Sequence, residues 1–484
     1  MCRYLSNNFN LHKMKQFILI LLVTLCTNCT AQNQSAIKNI ENFETNVDAL
    51  VKQYLDLDIF SGIVLVSEKG ETKYHKAFGM ADRTTNTANT ITTKFDIGSM
   101  NKSFTKTVIL QLVEEGKLNV TDQLGQFISG FPEIAANTIT ITHLLEHSSG
   151  YTNYWGNDFE ALPIDQKRLS GLVARIKKLP LQFEPGTKQA YSNSGYVLLG
   201  AIIEKVTGVS YHQNIVDRII KPLGMTETYV TDKIKVPNRA IGYYKDMRGN
   251  LYTNVGFTEV PNPDGGFHST PSDIATFYAE YFYGTKLLPE KTKANEAFFG
   301  SQSKRKQSGK ASLMAGGFRG ANTAYLEIMR DEISIIVFAN MDEPVGEQLA
   351  TGILALVRGE IPKTPSLPAH QNIYKHYTKF GIDYIEKHFS TLTKNFHSED
   401  PKGGILNRIG YAFFKEGNLK EAKKMFQLNV RLFPEDANVW DSLGEVHFEL
   451  GAHEKALISY KKALDLDPFM TSAKQMIYKI NSRH

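Results

Sequence analysis

The segment 95–116 (FDIGSMNKSFTKTVILQLVEEG) sets Ser99 and Lys102 three residues apart at the start of an apolar repeat. Phe104, Val108 and Leu112, with Ile109 and Val113, follow a helical period, and Gly116 is a sensible C-cap. The spacing predicts a helix with Ser99 at or just inside its N-terminus and Lys102 one turn on, on the same face. A serine hydroxyl is a weak nucleophile and needs a base beside it. Lysine becomes that base once burial depresses its pKa. The helix N-terminus adds N–H groups and partial positive charge where an oxyanion would develop. Both residue types are common, and the pair taken alone is better read as a serine N-cap followed by a solvated lysine.

A second cluster changes that balance. In 183–200 (FEPGTKQAYSNSGYVLLG), Glu184, Pro185, Gly186 and Thr187 make a turn. Tyr191, Ser192 and Asn193 follow it, ahead of a helix predicted over 196–207. Here the chain resembles the serine β-lactamase and penicillin-binding-protein family, nearest its class C-like branch with the related esterases and D-aminopeptidases. That family sets a Tyr-Ser/Ala-Asn motif on a loop facing the Ser-x-x-Lys helix. The segments 141–150 (ITHLLEHSSG), 222–226 (PLGMT) and 265–269 (GGFHS) match the same pattern, and the resemblance covers roughly 45–360. It implies an acyl-enzyme on Ser99, with Lys102 and Tyr191 sharing the proton transfers and Asn193 orienting Lys102 and the substrate amide. The bland alternatives, a core tyrosine at 191 and a turn asparagine at 193, are the weaker ones directly after a Pro-Gly turn.

The third family motif is where this sequence departs. The family carries Lys or His, a small residue and Gly on an edge strand beside the site; the counterpart is Met314-Ala315-Gly316-Gly317-Phe318-Arg319-Gly320. A thioether offers no charge and only a weak acceptor. Recognition of a substrate carboxylate loses its usual partner at Met314, with Lys310 or Arg319 as the candidates to compensate. Gly316 and Gly317 still let a ligand approach the backbone. The N–H groups of Ser99 and Gly317 would form the oxyanion hole. The substrate-binding set is therefore Asn193, Met314, Gly316 and Gly317, beside the catalytic set Ser99, Lys102 and Tyr191.

These residues need a scaffold. The runs 61–67 (SGIVLVS) and 72–78 (TKYHKAF) read as two strands about a turn at 68–71. Residues 323–329 and 333–339 make a second hairpin around Arg330, Asp331 and Glu332, and a helix is expected over 344–358. Strands at both ends with helical sequence between imply an α+β fold, one antiparallel sheet closed by distant parts of the chain. With the resemblance, this becomes a β-lactamase/transpeptidase-like domain over 36–360 with a helical insertion.

The Pro-rich stretch 361–370 (IPKTPSLPAH) argues against regular structure and sets a linker at 361–371. Beyond it the pattern is all helical, a domain over 372–484. Leu406, Gly410, Gly417, Ala422, Phe426 and Pro434 recur 34 residues on as Trp440, Gly444, Gly451, Ala456, Tyr460 and Pro468. This resembles tetratricopeptide repeats, at 403–436 and 437–470. The small residues mark close helix packing, the aromatic ones fill the groove between helices, and the prolines end the second helix of each unit. Asn429 departs from the pattern that Ala463 keeps. Helices over 371–392 and 470–481 are expected as caps. The repeats read either as a docking groove for a protein or peptide partner or as an appendage packed on the first domain.

At 484 residues the chain exceeds what one core usually serves, and 42% hydrophobic with 22% charged is ordinary globular composition. Lys13 and Lys15 precede an apolar run, 17–26 (FILILLVTLC), too short to span a bilayer but right for a signal-peptide core. Met14 opens a more typical signal than Met1. Cys29, Thr30 and Ala31 place cleavage before Gln32, giving a signal peptide over 1–31 and an exported, periplasmic or secreted protein without a transmembrane segment in its mature chain. Lipoprotein anchoring at Cys29 is the minority reading, because Cys26, Thr27 and Asn28 fit a lipobox poorly. Cys2, Cys26 and Cys29 all sit in the leader, so the mature chain has no thiol chemistry and no disulfide. The net charge of +5 includes Arg3, Lys13 and Lys15 of that leader, which leaves the rest near neutral and without a case for nucleic acid.

His143 and His147 are four apart, but nothing nearby completes a metal triad, and Gly316-Gly317 precedes a strand rather than a helix as a phosphate loop would. Neither a metal nor a cofactor is expected. The leading reading is an exported serine hydrolase acting on an ester, an amide or a peptidoglycan-like peptide. The alternative is a non-catalytic binding protein on a hydrolase fold, with the repeats as its working surface.

Overall fold

The fold is that of a computed structural model describing residues 37, 41–156, 158–257, 260–342, 344–394 and 402–482. The signal-peptide reading, with Cys2, Cys26 and Cys29, lies outside the described residues. So does the basic and apolar leader that carries it. Among the described residues no helix is long and apolar enough to cross a membrane.

The first part is α+β. Five antiparallel strands form one sheet: β1 (Gly62–Glu68), β2 (Glu71–Phe78), β3 (Ser312–Phe318), β4 (Ala321–Ile328) and β5 (Ile333–Ala339), in the order β2-β1-β5-β4-β3. The two ends of the domain meet in the middle of the sheet, where Gly62 pairs with Ala339 and Glu68 with Ile333. Each central strand reads as a continuous apolar run because both faces are covered. Ile63, Leu65, Tyr325, Ile336 and Phe338 face the helical region of the domain. Val64, Val66, Ala324, Ile335 and Val337 face helices α1 (Phe43–Asp56) and α5 (Val345–Val357). Strand β3 is left on the sheet edge.

The helical region is built around α2 (Asn101–Glu114), flanked by α3 (Asn193–Thr207) and α4 (Pro271–Phe282). α2 is not simply amphipathic. Asn101, Lys102, Phe104, Thr105, Thr107, Val108, Ile109, Leu110 and Leu112 are all buried, because neighbours surround it. Phe104 stacks on Phe277 of α4 with ring centroids 3.9 Å apart. α2 carries Lys102 and starts directly after the turn that holds Ser99.

The second part is all helical: α6 (Ala369–Phe380), α7 (Ile382–Leu392), α8 (Gly403–Lys415), α9 (Leu419–Leu432), α10 (Ala437–Glu449), α11 (His453–Leu466) and α12 (Thr471–Asn481). The single helix expected over 371–392 is instead two, broken at Gly381, whose φ of 79° lies outside the helical region. The first of them opens at Ala369, straight after Pro368 and inside the stretch expected as linker, since proline suits a helix start. The repeat logic holds atom by atom. A Cβ on Gly410 would sit 2.4 Å from the Phe426 ring, and one on Gly444 would sit 2.7 Å from the Tyr460 ring. Asn429 is fully buried and donates to Gly403 O at 2.7 Å and Asn407 Oδ1 at 2.8 Å, which explains a polar residue where the other repeat has alanine.

A short hairpin, Tyr243–Lys245 with Leu251–Thr253, joins the two parts. From its turn, Arg248 makes a bidentate ion pair with Glu416, both bonds 2.7 Å, and lies over the Tyr374 ring. Met247 belongs to the core of the helical part. Arg408 of α8 reaches Asp342 at 3.3 Å, and His370 meets Lys245 O at 3.4 Å.

Candidate active site

Ser99 lies in a single 3₁₀ turn (Gly98–Met100) that runs directly into α2. Gly98 has φ +48° and is the residue that lets the chain turn into the helix there. Edge strand β3 is pressed against this turn. A Cβ on Gly316 would fall 2.0 Å from Ile97 O and 2.9 Å from Ser99 N, and one on Gly98 would fall 2.6 Å from Gly317 N. No side chain fits in the seam, so the backbones of Ser99 and Gly317 lie side by side. Thr323 of β4 pins the seam from behind, its Oγ1 within 3.3 Å of Ile97 O and 3.2 Å of Gly316 O.

Three side chains converge at the mouth of this seam. Lys102 Nζ donates to Ser99 Oγ at 2.9 Å, and Tyr191 OH donates to the same oxygen at 2.6 Å. Lys102 is 6% exposed, and burial pulls its ammonium down to about 8 against the opposing pull of Asp264. Its remaining bond runs to Asp264 O at 2.8 Å, and its Nζ lies 4.9 Å from the Tyr191 ring centre. Tyr191 is 53% exposed and presents its hydroxyl from the solvent side.

The loop that carries Tyr191 is tied down on both sides. Ser192 caps α3, its Oγ accepting from Gly195 N at 3.0 Å, and its own N–H donates to His147 Nδ1 at 3.1 Å. The His147 ring lies 4.8 Å from Tyr191 and 5.2 Å from Tyr196. Burial, and then the Lys102 charge, hold the His147 imidazole down to about 4, so it is neutral near pH 7 with its proton on Nε2. In the sequence His147 stands out as a family-pattern residue and as half of the His143/His147 pair; its packing against Tyr191 is tertiary.

The structure thus brings Ser99, Lys102, Tyr191, Gly316 and Gly317 together. Asn193 is placed differently from its expected role. It is the first residue of α3, which starts three positions earlier than the spacing suggested, and its Nδ2 donates to Asn153 Oδ1 at 2.7 Å. Its described bond is to this loop asparagine and not to Lys102. Met314 lies on β3 opposite Tyr325, half-buried and packed on the helical core. Of the two candidate compensating cations, Lys310 is exposed ahead of β3. Arg319 sits just past the strand, its guanidinium 4.6 Å from the Phe257 ring centre and 5.4 Å from that of Tyr244. Asn153, Thr323 and Asp264 carried no sequence signal. Among the described residues no group of three or more His, Cys, Asp or Glu side chains is placed to hold a metal ion.

Residues 47–349 match the family model described as Beta-lactamase. The chain belongs to the Beta-lactamase family. Residues 404–436 and 437–469 each match a Tetratricopeptide repeat model. Penicillin-binding protein 4* of Bacillus subtilis is 35% identical over 236 residues, 45% of this chain and 51% of that protein. Teichoic acid D-alanine hydrolase of Staphylococcus aureus is 26% identical over 294 residues, 55% of this chain and 72% of that one. The chain therefore spans about half the length of the first of these relatives. Among solved structures, D-amino acid amidase from Ochrobactrum anthropi shares the fold with a TM-score of 0.56 at 21% identity, covering 66% of this chain and 99% of its own. The family, the sheet and the helical repeats are those that the sequence motifs implied.

Proposed function

We propose that the chain is a serine acyl hydrolase that forms its acyl-enzyme on Ser99 and acts on esters or amides of D-amino acids whose leaving group carries no carboxylate. The carrying observation is the convergence of Lys102 Nζ and Tyr191 OH on one oxygen, Ser99 Oγ, at 2.9 and 2.6 Å. As Oγ bonds to the acyl carbon, its proton is taken up by the Lys102–Tyr191 pair. The bond to the leaving group then breaks, and the leaving atom takes the proton back from Tyr191, the more exposed of the two. Water enters by the same steps and releases the acid. The developing oxyanion is met by the N–H groups of Ser99 and Gly317. Asn193, held by Asn153 at 2.7 Å, is assigned the substrate amide, as the family resemblance implies.

Met314 narrows the substrate. An uncharged thioether on β3 leaves a carboxylate beside it without a cation, and Arg319 is already committed to two aromatic faces. An ester or a primary amide asks for no such partner. The relatives named for D-alanine hydrolysis and D-amino acid amide chemistry suggest the acyl half. The basic and apolar leader supports export, with the repeats offered to a peptide or protein partner outside the cytoplasm.

The test is to incubate the full chain with a fluorophosphonate and with a labelled penicillin, map the adducts, and assay D-alanyl esters and amides beside D-Ala-D-Ala peptides. Fluorophosphonate labelling of Ser99, with ester and amide turnover ahead of the peptides, is expected. Absence of Ser99 labelling by either reagent refutes the proposal and favours a binding protein. Met314→Lys should raise reactivity toward the carboxylate-bearing substrates; an unchanged profile would remove this position from substrate recognition.

A further inference from the structure

The loop 262–267 is laid along the first turns of α2. Asn101 Nδ2 donates to Asn262 O at 2.8 Å, Thr105 Oγ1 to Pro263 O at 2.7 Å and Lys102 Nζ to Asp264 O at 2.8 Å. Phe267 N donates back to Asn101 Oδ1 at 3.3 Å. Residue 264 meets Lys102 through its carbonyl, which any amino acid would supply. Its side chain is therefore an addition, and it is an expensive one. The Asp264 carboxyl is 5% exposed, its Oδ2 accepts from Tyr154 OH at 2.9 Å, and its Oδ1 has no hydrogen-bond partner. Tyr154 is buried, with its ring 5.5 Å from Phe159.

The groups around Lys102 are few. Ser99 Oγ accepts from it, and the rings of Tyr191 and Tyr196 lie 4.9 and 5.7 Å from its Nζ. His147 is neutral behind Tyr191. Tyr211, bonded to Thr105 at 2.7 Å, and Tyr154 face Asp264 as neutral phenols, because burial pushes both well up. Asp264 is the carboxyl among them.

We propose that Tyr154 and Asp264 are positioning residues that together give Lys102 a buried counter-charge and so fix the pH range in which Ser99 reacts. This deepens the reading above and rests on it. Burial favours the neutral forms of both Asp264 and Lys102, and each favours the charged form of the other. Burial raises the Asp264 carboxyl overall, and the Lys102 ammonium and then the Tyr154 hydroxyl, donating to Oδ2, pull it back toward the carboxylate. With that charge in place Lys102 keeps its proton to higher pH. Without it, Lys102 is neutral at lower pH and can accept the Ser99 proton there.

The experiment is the pH dependence of the second-order rate of Ser99 labelling by a neutral fluorophosphonate, on the full chain and on Asp264→Asn, Tyr154→Phe and the double variant. Asp264→Asn is expected to move the ascending limb to lower pH by about one unit. Tyr154→Phe should move it the same way by less, and the double variant no further than Asp264→Asn. A rate lowered at every pH with the limb unmoved assigns Asp264 a structural role and overturns the inference. Should Asp264→Asn fail to fold, Tyr154→Phe decides alone, an unmoved limb again overturning it. An unlabelled wild-type chain would overturn the proposed function itself, whereas labelled chains with unmoved limbs overturn this inference only.

Discussion

Gly316→Ala tests the seam between β3 and the Ser99 turn with one added carbon. That Cβ would stand 2.0 Å from Ile97 O and 2.9 Å from Ser99 N, where real Cβ contacts essentially never fall under 3.0 Å. Both obstacles are backbone, and Thr323 holds Ile97 and Gly316 from behind, so neither can swing aside like a side chain. The strand must retreat from the turn by about 1 Å. A misplacement of that size costs about 10²-fold in rate when reacting groups are otherwise intact. Overpacking of this kind costs about 1–3 kcal/mol of stability. The assay is the second-order labelling of Ser99 by a fluorophosphonate, with a thermal melt on the same preparation. Expected are a labelling rate down about 10²-fold and a lowered Tm with the chain still folded at 25 °C. A variant that labels at the wild-type rate with an unchanged melt would refute the reasoning, because the backbones of Ser99 and Gly317 would then not be held against each other.

Other expectations follow from single groups. Lys102 serves as base only when neutral, and burial holds it down to about 8, so Ser99 labelling should rise with pH through that value; a rate flat from pH 6 to 9 would detach Lys102 from the rate. Asn429→Ala restores the repeat pattern but strands Gly403 O and Asn407, and should cost about 1–3 kcal/mol in urea unfolding rather than stabilise. His370 is held down by burial to about 3 from an ordinary 6.5. The native state therefore binds fewer protons than the unfolded chain below 6.5, and the contribution is whole above that pH and lost as pH falls toward 3. Hydrogen exchange at the 243–253 hairpin should quicken in that window, and His370→Asn should flatten the response.

What was legible in the sequence is what side-chain chemistry writes locally. Ser99 and Lys102 alone read as an N-cap and a solvated lysine, and they become candidates because Tyr191, Ser192 and Asn193 after a Pro-Gly turn complete a family motif. The repeats were legible because Gly410 and Phe426 must be one small and one large on facing helices. What stayed hidden depends on distant chain segments meeting. Nothing near Thr323 reveals that its hydroxyl will bridge two carbonyls of the Ser99 seam. The carboxyl of Asp264 looks like a turn residue until the loop is laid on α2. The resemblance has Asn193 orienting Lys102 and the substrate amide; α3 begins at that residue, and its side chain donates to Asn153 of the neighbouring loop, a contact the sequence does not announce. Gly381 was hidden by composition, since an apolar period that continues across a glycine does not say whether the helix does.

Met247 gives the linker an unexpected status. It sits on a hairpin of the first part yet is 4% exposed within the core of the helical part, beside the Arg248–Glu416 clasp. A protease that cuts the proline-rich connection near residue 365 would nick the chain without releasing a fragment. Each half expressed separately would carry a scar, a bare methionine on one and a matching hollow on the other. The two halves are thus joined by packing as well as by the chain, and moving the repeats onto another domain would require the hairpin to travel with them.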